Sequence, residues 1–112
     1  MQLEAKKLLE DVRMAAEYII NHTKDMSLED YISDKIVPVA IERKFEIIGE
    51  ALNRLKAVDQ QTLQKINNYR QIIAFRNILI HGYDAVDNEI VWRAIQEDIP
   101  VLLKQALQLM NE

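Results

Sequence analysis

Residues 69–83, YRQIIAFRNILIHGY, gather Arg70, Arg76, Asn77, His81 and Tyr83 around an apolar run. An imidazole titrates near neutral pH, so His81 could accept the proton of an attacking hydroxyl or return one to a departing oxygen. A guanidinium is a planar fork of donors. Arg76 could therefore hold a pair of nonbridging phosphate oxygens and stabilise the charge of a pentacoordinate phosphorus. Asn77 could support the pair by holding phosphate or by orienting His81. This set suits cleavage of RNA, whose 2′-hydroxyl is the nucleophile, without a metal ion; DNA lacks that hydroxyl and would be left intact.

Spacing limits how these groups can meet. Five residues of α-helix turn by about 140°, so Arg76 and His81 fall on different faces of a straight helix. They converge if the helix unwinds at His81, or if two copies of the segment meet across a dimer axis. Either route gives a cleft with paired cations and paired imidazoles. A plain structural reading stands beside this one: Arg76 snorkels, His81 caps a helix C-terminus, and Tyr83 packs with its hydroxyl in water.

The other polar residues suggest less. Glu10, Asp11, Arg13 and Glu17 read as a solvated helical face with i,i+4 pairing. His22 closely follows a first helix and suits its C-terminal dipole. Glu42, Glu46 and Glu50 recur every four residues, but no Glu-x-x-His pair faces them, so a di-metal bundle is not expected. No metal ligand and no cofactor is assigned.

Helices must position these groups. Leu8, Leu9, Val12, Ala16, Ile19 and Ile20 form one apolar stripe, predicting a helix over 3–21. Ser27 with Asp30 resembles a capping arrangement that opens a short helix over 28–33. A third helix is expected from near Pro38, through Ile41, Phe45, Ile48, Leu52 and Leu55. Gly49 lies inside it, where glycine costs about 1 kcal/mol relative to alanine, and implies close approach of another backbone. Residues 59–62 read as a polar break and 63–66 as a short helical turn. Asn67 and Asn68 are candidate caps for the helix carrying Ile72, Ile73, Phe75, Leu79 and Ile80. Gly82 is expected to end it in the left-handed conformation. Asp87 caps a last helix containing Val91, Ile95, Ile99, Leu102, Leu103, Ala106 and Leu107, which Pro100 should kink by freeing the carbonyl of Gln96.

With 112 residues, 49% of them hydrophobic, the chain fits one folded domain over 1–112. Two glycines and two prolines are few, and the reading is all-α: a compact up-and-down helical bundle. Cysteine is absent, which removes disulfides and thiolate metal sites. The start, MQLEAKKLLEDV, lacks the apolar stretch of a signal peptide, and no segment has the apolar length of a membrane span. A cytoplasmic protein without a membrane partner is expected. A net charge of −4 argues against general nucleic-acid wrapping, so any RNA chemistry must rest on a local site.

Arg76-Asn-Ile-Leu-Ile-His81-Gly-Tyr83 resembles the R-x4-H-x-Y motif of HepT-like toxins in the HEPN superfamily, with Asn77 as the polar residue that typically follows the arginine. The likeness covers essentially the whole chain. Ile47-Ile48-Gly49-Glu50-Ala51 resembles the family's IIGEA stretch. Tyr69-Arg70-Gln71-Ile72-Ile73 resembles its W-R-x-I-I lead-in, with Tyr69 where tryptophan is usual. Val86-Asp87, Ile90-Val91-Trp92 and Asp98-Ile99-Pro100 resemble its closing helix.

The resemblance implies a helical homodimer with an active-site cleft near the dimer axis, acting as a metal-independent ribonuclease toxin on transfer or messenger RNA. It implies Arg76 and His81 as the catalytic pair. It also implies a cognate minimal nucleotidyltransferase antitoxin that silences the toxin by transferring AMP onto Tyr83. Two rival readings keep the fold without the cleavage: a non-catalytic helical module that docks a nucleotidyltransferase, or a substrate-binding subunit of such an enzyme.

Overall fold

Two long amphipathic helices provide the frame. Their stripes of Leu9, Val12 and Ile19 on α1 (Leu3–Thr23) and Ile41, Phe45, Ile48 and Leu52 on α3 (Val37–Val58) are buried against one another. Burying a side chain of this kind is worth about 1.5–3 kcal/mol. The computed structural model describes residues 1–82 and 86–112, and these form seven helices and no strand. The chain is an all-α bundle. Between α1 and α3 lies α2 (Leu28–Ser33); α4 (Gln60–Gln64) and α5 (Tyr69–His81) follow α3, and α6 (Asn88–Glu97) and α7 (Ile99–Met110) close the chain. The four longer packing partners neighbour one another in the order α5, α3, α1, α7, while α2 packs on α3 and α6. Among the described residues no helix is long and apolar enough to cross a membrane.

Local chemistry sets the helix starts. Ser27 and Asp30 form the expected capping box on α2. Asp34 accepts from the backbone N–H groups of Ile36 and Val37, both at 2.8 Å, and so covers the donors at the start of α3, where Pro38 occupies the first turn.

Four expectations change. The residues read as a polar break already belong to α4, because the Asp59 carboxylate caps it by accepting from Thr62 N at 3.1 Å. Asn68 stands at the N-cap of α5 but makes no side-chain cap; its Nδ2 donates instead to the carbonyl of Asp98 at 3.2 Å, tying α5 to the α6–α7 junction. Gly82 is not left-handed: at φ −115° it donates to the Ile78 carbonyl at 2.7 Å. A Cβ there would lie 3.0 Å from that same oxygen, so glycine serves closeness rather than handedness. The single kinked last helix is two helices broken at Asp98. Proline has no N–H for the Gln96 carbonyl, and α7 restarts with Leu102 N donating to Asp98 O at 3.0 Å.

Candidate functional site

The site is built where α5 crosses α3. Ile72 and Leu79 are buried, and Phe75 meets Phe45 edge to face at 5.1 Å between ring centroids. Gly49 makes the approach possible, for a Cβ on it would collide with Cβ and Cγ of Arg76. The close approach expected here was that of another backbone; what Gly49 admits is instead a side chain, the aliphatic stem of Arg76.

Both ends of the Arg76 guanidinium are held. Its Nη2 donates to Glu50 Oε2 at 2.8 Å, and its Nη1 to Asn77 Oδ1 at 3.0 Å. The other oxygen of Glu50 accepts from Arg54 Nε at 3.0 Å, so one carboxylate joins two arginines. Arg76 is 22% exposed in its side chain, and its Nε is buried. Its stem lies in a groove while the fork keeps unused N–H groups. In the sequence Glu50 stands out as one of three regularly spaced acids and as part of the Ile47–Ala51 stretch, but neither gives it a role; the sign of that role lies in its place directly after Gly49.

His81 is the last residue of α5 and is exposed. The helix runs through it without unwinding, so one of the two routes that would bring it to Arg76 is closed. In a single chain the two residues remain about 140° apart around the helix. Asn77 lies one turn before His81 on the same side, and its recorded bond goes to Arg76. The structure thus joins Arg76 with Asn77 and leaves His81 on a different face from Arg76. Tyr83 lies outside the described residues.

Two cavities flank the crossing. One, of about 270 Å³, is lined by Arg76 and Ile80 of α5 with Asp11 of α1 and Arg43, Glu46, Glu50 and Arg54 of α3, so its arginines are balanced by acids. The other, of about 370 Å³, is lined by Asn53 and Lys56 of α3, Gln60 of α4, and Tyr69, Arg70, Ile73, Ala74 and Asn77 of α5. Its lining holds two cations and no carboxylate.

The acids of α3 divide by environment. Burial, and then the charge of Glu46, raise the Glu42 carboxyl above its ordinary range. Glu50 instead serves the two arginines. Among the described residues no three His, Asp or Glu side chains are grouped to hold a metal ion.

Sequence comparison relates nearly the whole chain to known proteins. The profile of the HepT-like family, described as ribonuclease HepT-like, matches residues 12–109. A protein of Thermococcus cleftensis named as ribonuclease HepT is 36% identical over 102 residues, covering 91% of this chain and 92% of its own. A protein of Methanocaldococcus jannaschii named as an RNase is 32% identical over 104 residues, covering 91% and 93%. Another so named, from Caldanaerobacter subterraneus subsp. tengcongensis, is 33% identical over 104 residues, covering 93% and 92%. No solved structure matches significantly.

Proposed function

The chain belongs to the HepT-like ribonuclease family of the HEPN superfamily, and from that premise we propose that it is a metal-independent endoribonuclease toxin whose catalytic pair is Arg76 and His81. On this reading residues 1–112 are one domain acting in the cytoplasm. The observation that carries it is the double restraint of Arg76. A snorkelling arginine needs neither a glycine seat nor two hydrogen-bonding partners, whereas one that must meet a phosphate gains from a fixed orientation.

Because α5 stays helical through His81, the reading requires two copies. The outward face of α5 carries Ala74, Asn77, Ile78 and His81, all exposed. A second copy laid on that face would bury the aliphatic residues and bring the two His81 imidazoles together, with each Arg76 tied to the face through its hydrogen bond to Asn77. One His81 removes the proton of the 2′-hydroxyl as its oxygen attacks the adjacent phosphorus. The His81 of the second copy protonates the departing 5′-oxygen. The products are a 2′,3′-cyclic phosphate and a 5′-hydroxyl, and Arg76 stabilises the charge on the nonbridging oxygens between them.

The regulatory part of the proposal is a cognate nucleotidyltransferase antitoxin that transfers AMP to Tyr83. Each phosphodiester added two residues beyond His81 brings about one negative charge and bulk to the region that must accept RNA phosphate.

The test of the reaction is cleavage of RNA by purified protein in excess EDTA, with analysis of the ends. Cyclic phosphate and 5′-hydroxyl ends, with DNA of the same sequence intact, are expected. Dependence on added metal, or equal cutting of DNA, would overturn the mechanism, and absence of cleavage would favour the non-catalytic docking module.

A further inference from the structure

The acid-free cavity beside Asn77 has no part in the chemistry above, yet its composition is unusual in a chain of net charge −4. Lys56 and Arg70 are both exposed, and among the described residues neither has a carboxylate partner within ion-pair distance. Most of the other basic groups near the α3–α5 crossing face acids: Arg76 and Arg54 share Glu50, and Arg43 lines the same cavity as Glu46. Arg70 lies over the ring of Tyr69, with its guanidinium carbon 5.2 Å from the centroid, a cation–π placement that uses no hydrogen-bond donor of the guanidinium. Tyr69 is half-buried and walls the cavity. Asn53 adds a neutral hydrogen-bonding group.

Position along α5 connects this cavity with the proposed reaction centre. Residues 70, 77 and 81 fall within about 40° of one another around the helix, on a stripe roughly 16 Å long. The stripe forms the edge of the face offered to a second copy, on the side away from Ile78. A strand with its reacting phosphate near His81 would therefore run along the rim of that interface past Asn77 and reach Arg70 within a few nucleotides. Single strands are held in this way, by cations that follow the backbone and aromatic rings beside the bases.

We propose that the cavity between α3, α4 and the start of α5 is a subsite for the single-stranded RNA flanking the cleaved linkage, with Lys56 and Arg70 contacting its phosphates and Tyr69 presenting a face to a base. The proposal rests on the ribonuclease reading, and it concerns binding rather than the chemical step. It explains how an acidic protein can hold an anionic substrate: attraction is confined to one acid-free strip.

The experiment compares the full-length protein with Lys56→Gln, Arg70→Gln and the double variant, all at exposed positions where melting temperature should not move. Cleavage of a short mixed-sequence RNA gives kcat and KM at several salt concentrations. Fluorescence anisotropy with the uncleavable 2′-O-methyl form of the same oligonucleotide gives Kd without catalysis. The expected result is a KM and Kd raised by about three- to tenfold per charge removed, with kcat unchanged. The slope of log affinity against log salt should fall by about 0.7 for each lost phosphate contact. Unchanged KM, Kd and salt slope in the double variant would overturn the subsite, as would a fall in kcat with KM unaltered. If the wild type binds the uncleavable oligonucleotide in this charge-dependent way but cuts no RNA, the ribonuclease reading fails and the subsite stands.

Discussion

At the scale of single residues, the guanidinium of Arg76 is committed before any substrate arrives. Glu50 and Asn77 hold its two ends, and the shared bond to Arg54 limits how the Glu50 carboxylate can turn. Such preorganisation confines reorganisation to the folded state instead of adding it to the reaction barrier. Tyr83 would act against this arrangement. Incubation with the cognate nucleotidyltransferase, ATP and Mg²⁺ should add whole AMP units to the intact mass, and Tyr83→Phe should neither gain them nor lose its toxicity. AMP on another residue, or silencing of Tyr83→Phe by the partner, would replace covalent regulation with simple complex formation.

At the scale of elements, the α3–α5 crossing depends on Gly49. Alanine there would gain about 1 kcal/mol of helix propensity. It would also drive a methyl into the stem of Arg76, and overpacking of this kind costs about 1–3 kcal/mol. Gly49→Ala should therefore lose stability in chemical denaturation despite the better helix former, and should lose RNA cleavage with it; a stabilised, active variant would show that the crossing yields easily. A second prediction concerns Glu42. Its carboxyl is raised by burial, so the stability it contributes is present at acid pH and lost as pH rises through that elevated value. Glu42→Gln should thus melt higher than the wild type at neutral pH, with the difference vanishing below about pH 4, where glutamate is protonated in either state. An equal difference at both pH values would point to packing.

These elements were legible in the sequence to different degrees. The apolar stripes of α1, α3 and α5 repeat at helical spacing over many residues, so the all-α bundle could be read from them. The Ser27–Asp30 box and the role of Gly49 as a point of close approach were equally local signals. Helix ends were harder, because each turns on one bond. Asp59 captures Thr62 N and starts α4 early, and Asn68 reaches the Asp98 carbonyl thirty positions away instead of its own helix. The Glu50–Arg76 pair spans two helices, and no spacing rule within one helix reveals it. Arg76 and Asn77 were visible as neighbours in a motif, but their hydrogen bond was not.

At the scale of the whole molecule, one chain does not bring Arg76 and His81 to one face, since α5 is helical through His81. The proposed activity therefore belongs to a dimer formed through the outward face of α5. Ile78 on that face is 57% exposed, and Ile90 of α6, which lines the same shallow cavity, is 53% exposed. Sedimentation at micromolar concentration should give a dimer, and Ile78→Asp should shift it toward monomer and reduce cleavage together; a strict monomer with full activity would exclude the two-copy site.

The most direct measurement is single-turnover RNA cleavage by the wild type, Arg76→Ala and His81→Ala in EDTA, with helix content followed by circular dichroism. Each substitution should slow cleavage by about 10²-fold or more, as loss of an electrostatic or acid–base group does, at unchanged helix content. Cleavage at the wild-type rate by either folded variant would contradict the assignment of Arg76 and His81 as the pair that cuts RNA.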